Sequence, residues 1–184
     1  MRLQPLVLSV HGTGGTCVRA RSSCPFCGVR LAEGQGPFPC PDGSKQFSCA
    51  PCHLVRHLER DTIGEEAVLI WLPELTQPAL NALAFAAHRR LARAGALQLA
   101  AAPFAWSADD GSYGALEAIR AFESRSGEAE ARLGTSSPGV LGAALMRAKR
   151  QVYTDRARLL GGLRLWPRGR FFVGGEDIYF RLIG

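Results

Sequence analysis

Two Cys-x-x-Cys pairs carry the plainest chemistry in this sequence. Cys24-Pro25-Phe26-Cys27 is followed by Gly28, and Cys49-Ala50-Pro51-Cys52 begins after a further 21 residues counted from Cys27. Two intervening residues let both sulfurs of a pair reach one ion. Four thiolates at about 2.3 Å then complete a tetrahedron around zinc. A site closed by four sulfurs has no open position for water, so its ion serves the fold and supplies part of the folding energy. The expectation is one structural zinc held by Cys24, Cys27, Cys49 and Cys52. The alternatives are a redox-active pair or two unrelated thiol motifs. Gly28 lets the chain turn around the ion. Arg21, Arg30 and Arg56 flank the pairs and could offset the negative charge of four thiolates. Cys17 and Cys40 are left over and read as free thiols, with Cys40 and His53 as alternative ligands.

The second feature is charge. The chain has 22 Lys and Arg against 16 Asp and Glu, a net +6. Eight basic residues and a single acid, Asp155, lie between Arg147 and Arg170, so this segment carries +7 and the remainder is close to neutral. Arg147, Lys149, Arg150, Arg156 and Arg158 read as a basic stripe near Tyr153 and Trp166. An acidic partner or a nucleic-acid backbone would suit such a stripe. Plain solvation is the third reading, because 20 of the 22 basic residues are Arg. Other motifs point to no chemistry. His11-Gly12-Thr13-Gly14-Gly15 lacks the Lys-Ser/Thr of a phosphate loop and reads as a turn. Glu65-Glu66 and Asp109-Asp110 are adjacent pairs whose side chains diverge, so they read as solvated turn charges. His88, beside Arg89 and Arg90, reads as a surface or partner-facing residue.

These residues need elements to hold them. With 47% hydrophobic and 21% charged residues the chain is globular. Its six cysteines are too sparse for a disulfide scaffold. No apolar run approaches the roughly 20 residues that cross a bilayer. Leu6-Val7-Leu8 reads as a short buried strand rather than a leader, since Pro5 interrupts the apolar run and no cleavage site follows. The first 60 residues are rich in Gly, Pro and Cys and poor in core material, whereas Ala, Leu and Arg dominate from Glu65. A boundary near residue 63 follows, giving a zinc domain over 1–63 and a mainly helical interaction domain over 64–184. A helix over 53–60 places the second pair at a helix N-terminus. Ala67 to Leu72 suits a buried strand. Thr76 caps a helix over 77–94 with Pro78 in its first turn, apolar spacing at Leu80, Leu83, Ala87 and Leu91, and a stop at Gly95. A second apolar piece and a polar turn occupy 96–112. A helix from about 113 is broken or kinked at Gly127 and ends at Gly134. Ser137-Pro138 opens the next, with Leu141, Leu145 and Met146 inward. Helix resumes over 151–160, and Leu163 to Trp166 alternates like a half-buried strand. The fold class is α+β: a zinc domain packed on a mainly helical part with a short sheet.

The paired knuckles, with a helix after the second, resemble a treble clef and the zinc frame of HNH endonucleases. That family uses a histidine on the hairpin between the pairs to activate water. Val29 to Ser48 contains no histidine, and His53 alone matches the last HNH position. The resemblance therefore implies the frame without the catalytic parts.

A second resemblance covers about residues 20 to 170. Leu69-Ile70-Trp71-Leu72-Pro73-Glu74-Leu75-Thr76-Gln77 with Leu80-Asn81-Ala82-Leu83 resembles the IcmJ/DotN family of type IVB secretion and related conjugation systems. Ile119-Arg120-Ala121-Phe122 with Arg125-Ser126, Leu133-Gly134-Thr135-Ser136 with Pro138, and Leu163-Arg164-Leu165-Trp166-Pro167 are similar to it as well. This resemblance implies a zinc-containing adaptor without enzymatic activity, cytoplasmic and peripheral to the inner membrane. Its partners would be the C-terminal extension of the coupling ATPase and other coupling-complex subunits; the charge distribution makes Arg147, Arg150, Arg156 and Arg158 the residues to receive them, with nucleic acid as the alternative ligand. The segment before Cys24 and the tail after Arg170 are shorter here than the family pattern.

Overall fold

The computed structural model describes residues 3–10, 23–31, 38–39, 45–95 and 112–183. The Gly-rich turn at 11–15, Cys17, Arg21, Cys40, Asp109-Asp110 and all but the last residue of the apolar piece and polar turn expected over 96–112 lie outside the described residues.

The chain is α+β. Its centre is a two-stranded antiparallel ribbon of β3 (Ala67–Trp71) and β4 (Leu163–Pro167), with Val68 opposite Trp166 and Leu69 opposite Leu165. Apart from the half-buried Arg164, both strands carry apolar side chains on both faces, as a ribbon covered by helices requires. Isolated two-stranded ribbons are marginal in water, and their open edges invite foreign strands. Both edges are closed here from within. On the β3 edge, Leu69 N–H donates to Ser136 O at 2.9 Å and Trp71 N–H to Arg125 O at 3.3 Å. On the β4 edge, the Gln77 carboxamide makes two bonds to Leu165, each 2.8 Å: Nε2 donates to the carbonyl and Oε1 accepts from the amide. A side chain thus takes the place of a third strand.

The helices that cover the ribbon follow sequence signals. In α3 (Gln77–Arg93), Thr76 Oγ1 accepts from Ala79 N–H at 3.4 Å, Pro78 occupies the first turn, and Gly95 leaves the helix at φ 68°. Its buried face runs through Gln77, Leu80, Asn81, Ala84, Phe85, His88 and Leu91. The expected apolar stripe was displaced: Leu83 is exposed and Ala87 half-buried. The next helix is interrupted at Arg125 rather than Gly127, giving α4 (Ser112–Ser124) and α5 (Ser126–Leu133), the latter closed by Gly134 at φ 78°. In α6 (Pro138–Arg147), Ser137 caps the N-terminus and Leu141 and Leu145 are buried, but Met146 is 48% exposed rather than inward. Helix resumes as two single turns, α7 (Arg150–Thr154) and α8 (Arg156–Leu159).

The N-terminal part contains β1 (Phe38–Pro39) paired with β2 (Lys45–Gln46), α1 (Ala50–Arg56) and the short α2 (Ile63–Glu66). Helix α1 begins three residues earlier and stops four residues earlier than the expected span. Leu6 and Leu8 are buried, but their segment is not a strand: it is tied by Ser9 N–H to Val55 O and Leu58 N–H to Ser9 O, at 3.0 and 3.1 Å. The C-terminal tail forms β5 (Phe172–Val173), β6 (Glu176–Asp177) and α9 (Tyr179–Ile183). One apolar cluster joins Cys24, Leu54 and Leu58 to Leu69, Phe85, Leu165, Phe171 and Tyr179. The core therefore runs without a break past residue 63.

Glu66 corrects another expectation. It is fully buried, not solvated, and accepts from Arg60 Nε at 2.9 Å, Arg60 Nη2 at 2.6 Å and Phe172 N–H at 2.7 Å. Arg60 also donates to Phe172 O at 2.7 Å and lies over the Phe171 ring. A carboxylate this deep is tolerable because a bidentate guanidinium and a backbone amide satisfy it.

Candidate metal centre

Cys24, Cys27, Cys49 and Cys52 come together, with their sulfurs all within 4.8 Å of one another. Local structure explains each position. Around the first pair, Gly28 N–H bonds to Cys24 O at 2.9 Å, Cys24 N–H bonds to Val29 O at 2.8 Å, and Ser23 bridges to Arg30. Gly28 takes φ 77°, a conformation that strains any residue with a Cβ. Cys49 is the N-cap residue of α1 and Cys52 lies in its first turn, with Pro51 between them. Three of the four cysteines are buried and Cys27 is half-buried.

The donor set fits a soft divalent ion. Sulfurs at about 2.3 Å from a tetrahedral centre stand about 3.8 Å apart, and the Cys27 and Cys49 sulfurs are 3.5 Å apart. Without a cation the group cannot ionise together. Hydrogen bonds from Cys27, Cys49 and Cys52 hold the Cys24 thiol far below its ordinary range. Cys24 and Cys27 push Cys49 up, and burial pushes Cys52 up. A divalent ion removes this conflict by stabilising all four thiolates. The four sulfurs could therefore hold one metal ion.

Sequence reasoning missed what stands behind them. Asn81 Nδ2, fully buried, donates to Cys52 Sγ at 3.2 Å, and Asn81 Oδ1 accepts from Gln77 Nε2 at 2.8 Å. Gln77 is the same residue that closes the β4 edge. An amide relay thus runs from the backbone of Leu165 to a sulfur of the candidate metal site, and an N–H donor lowers the charge that sulfur must carry. The signal was present: Gln77 and Asn81 are polar residues four apart on the apolar face of α3.

The other candidates fall elsewhere. His53 is not in the thiol group; it is buried among Phe38, Phe171 and His57, with neither ring nitrogen finding a hydrogen-bond partner among the described residues. Burial holds its pKa well below the usual histidine range, helped by His57 and two nearby arginines. His88 is buried, not surface-exposed. Its Nδ1 lies 2.7 Å from Tyr179 Oη and its ring meets Trp166 edge-on. Burial lowers its pKa to about 4. Arg30 is exposed, and Arg56 lies over the Phe26 ring.

The basic segment divides in two. Arg156 Nε donates to Leu8 O at 3.2 Å, and its guanidinium covers the Tyr153 ring. Arg164 donates to Leu75 O, Arg168 to Gly64 O, and Arg170 pairs with Glu65 and Asp177. These four hold the fold together. Arg147, Lys149, Arg150 and Arg158 are exposed. No helix among the described residues is long and apolar enough to cross a membrane. No family model matches the chain, and no curated protein matches it.

Proposed function

We propose that this chain is a non-catalytic zinc-containing adaptor of the IcmJ/DotN kind. It would serve a type IVB secretion or conjugation coupling complex, cytoplasmic and peripheral to the inner membrane. One observation carries the reading: the stretches that resemble that family all meet on the β3–β4 ribbon. Trp71 and Leu69 bond to Arg125 and Ser136, Phe122 stacks on Trp166 at 4.8 Å, and Gln77 joins Leu165 to the cysteine site through Asn81. The stretches that carry the resemblance thus pack together around one ribbon, and this packing is what supports the reading.

In this reading the four thiolates hold one zinc ion, which would close the N-terminal frame as a structural cross-link. The frame resembles an HNH or treble-clef site put to structural use. The buried setting of His53 and His57 supports this, since neither ring offers a face to a substrate. The partner would be the C-terminal extension of the coupling ATPase. Co-expression with that extension from the same host should yield a complex that survives purification at low salt; separate elution would remove the proposal. Metal analysis of the isolated protein should return about one zinc per chain. A folded, metal-free chain would remove the zinc assignment.

A further inference from the structure

We infer that the outward side of α6–α8 is a docking surface for an acidic amphipathic helix of a partner protein. Helices α7 and α8 bury no residue. Their inward contacts come from Tyr153, whose hydroxyl donates to Val10 O at 2.8 Å, and from Arg156 on Leu8 O. The sides not held in this way present Val152 at 45% and Leu159 at 52% exposure, after Met146 at the end of α6. Along the sequence, these apolar groups alternate with the four exposed cations. Arg147, Lys149 and Arg150 have no side-chain hydrogen bond or ion pair among the described residues. Arg158, 77% exposed, has only a long 3.7 Å approach to Asp155.

Charge and chemistry together select the occupant. Four cations against one carboxylate favour a negative ligand, and the aliphatic groups between them ask for apolar side chains on the same ligand. A nucleic acid would use the cations but not the aliphatics. A single strand would also want flat aromatic platforms, and the segment's aromatics are spent: Trp166 is fully buried under Phe122, and Tyr153 is covered by Arg156. A helix with glutamates flanking a leucine stripe answers both halves of the surface. This inference deepens the adaptor reading, and rests on it only for the natural source of that helix.

The test uses the full chain and fluorescein-labelled synthetic peptides of about 20 residues, long enough for a stable helix. One has a Leu face and Glu flanks, one has Lys in place of Glu, and one has the Glu peptide's composition in scrambled order. A labelled DNA duplex is the fourth probe. Anisotropy at about 50 mM salt should show micromolar binding of the Glu helix alone, falling with added salt. Reversing Arg147, Lys149, Arg150 and Arg158 to Glu should weaken it by at least about tenfold. Met146→Ser with Val152→Ser and Leu159→Ser should weaken it without changing the salt dependence. All seven positions are exposed, so unchanged circular dichroism and metal content will report intact folding. Binding of the scrambled peptide or of DNA as tight as that of the helix would overturn the inference, and so would indifference to either variant. The adaptor reading fails separately. If the wild type binds the Glu helix but not the ATPase extension, the surface stands and the adaptor is lost. If the charge-reversed chain still co-purifies with the extension, the adaptor stands and this surface is wrong.

Discussion

The side-chain amide of Asn81 does two things that no aliphatic residue could do in its place. It gives a hydrogen to Cys52 Sγ and it accepts one from Gln77. Asn81→Leu keeps roughly the same bulk and removes both. Loss of such an outer partner typically costs about 10–100-fold in metal affinity, so chelator competition should show a weakening in that range while the fold persists. Cys49→Ser, which removes a ligand itself, should lose the ion and unfold the N-terminal part. His88 sets a pH limit. Its folded pKa of about 4 lies below the ordinary 6.5, so the fold favours the neutral ring. Its stabilising contribution is whole above pH 6.5 and is lost as the pH falls toward 4. Between pH 7 and pH 5 about 2 kcal/mol should go, from 1.36 kcal/mol per pKa unit. His88→Gln, compared with wild type by urea denaturation at both pH values, should show a loss smaller by that amount. An equal loss in both proteins would mean that other groups control the response.

At the scale of elements, close approach matters more than propensity. Gly142 of α6 lies against the turn that follows α1: a Cβ there would stand 2.4 Å from Leu58 O. Gly142→Ala should therefore destabilise the protein by about 1–3 kcal/mol, the usual cost of overpacking, although alanine favours helix. Thr76→Ala should cost about 1 kcal/mol as a lost cap. Denaturation midpoints check both. Where a helix or strand is fixed by its own neighbours, the sequence could be read directly. Thr76, Pro78 and Gly95 bounded α3 because capping is local, and AVLIWL read as a strand because it is a short apolar run between breakers. The four cysteines were legible for the same reason, each pair being a local spacing. What failed depended on distant partners. Leu83 and Met146 have the right residue type but stay 43% and 48% exposed. Glu66 looked like a turn charge until Phe172, 106 residues away, supplied an amide. Gln77 and Asn81 belonged to the resembling stretch, yet nothing local said that one would reach a strand and the other a sulfur.

For the whole molecule, the continuous core means that an ion held by the four cysteines would support more than the first 63 residues. Stripping the ion with a chelator should remove hydrogen-exchange protection not only around α1 but at β3 and β4, through Asn81, Gln77 and Leu165. Mass spectrometry of exchange would read this peptide by peptide. Protection that survives at β3–β4 would show two separately stable units instead. The long reach of these contacts also bears on biosynthesis. Val10 is held by Tyr153, 143 residues later in the chain, and the carboxylate of Glu66 waits for the amide of Phe172. At roughly 5–20 residues per second of translation, the cysteines emerge on the order of ten seconds before Phe171 and Tyr179, which complete the core cluster they share. During that interval they are open thiols, exposed to oxidants and to the wrong ions. Chains arrested on the ribosome before residue 150 should accordingly react faster with a thiol-alkylating reagent than the full-length, metal-loaded protein would, because the nascent chain exposes its cysteines before its C-terminal core is made.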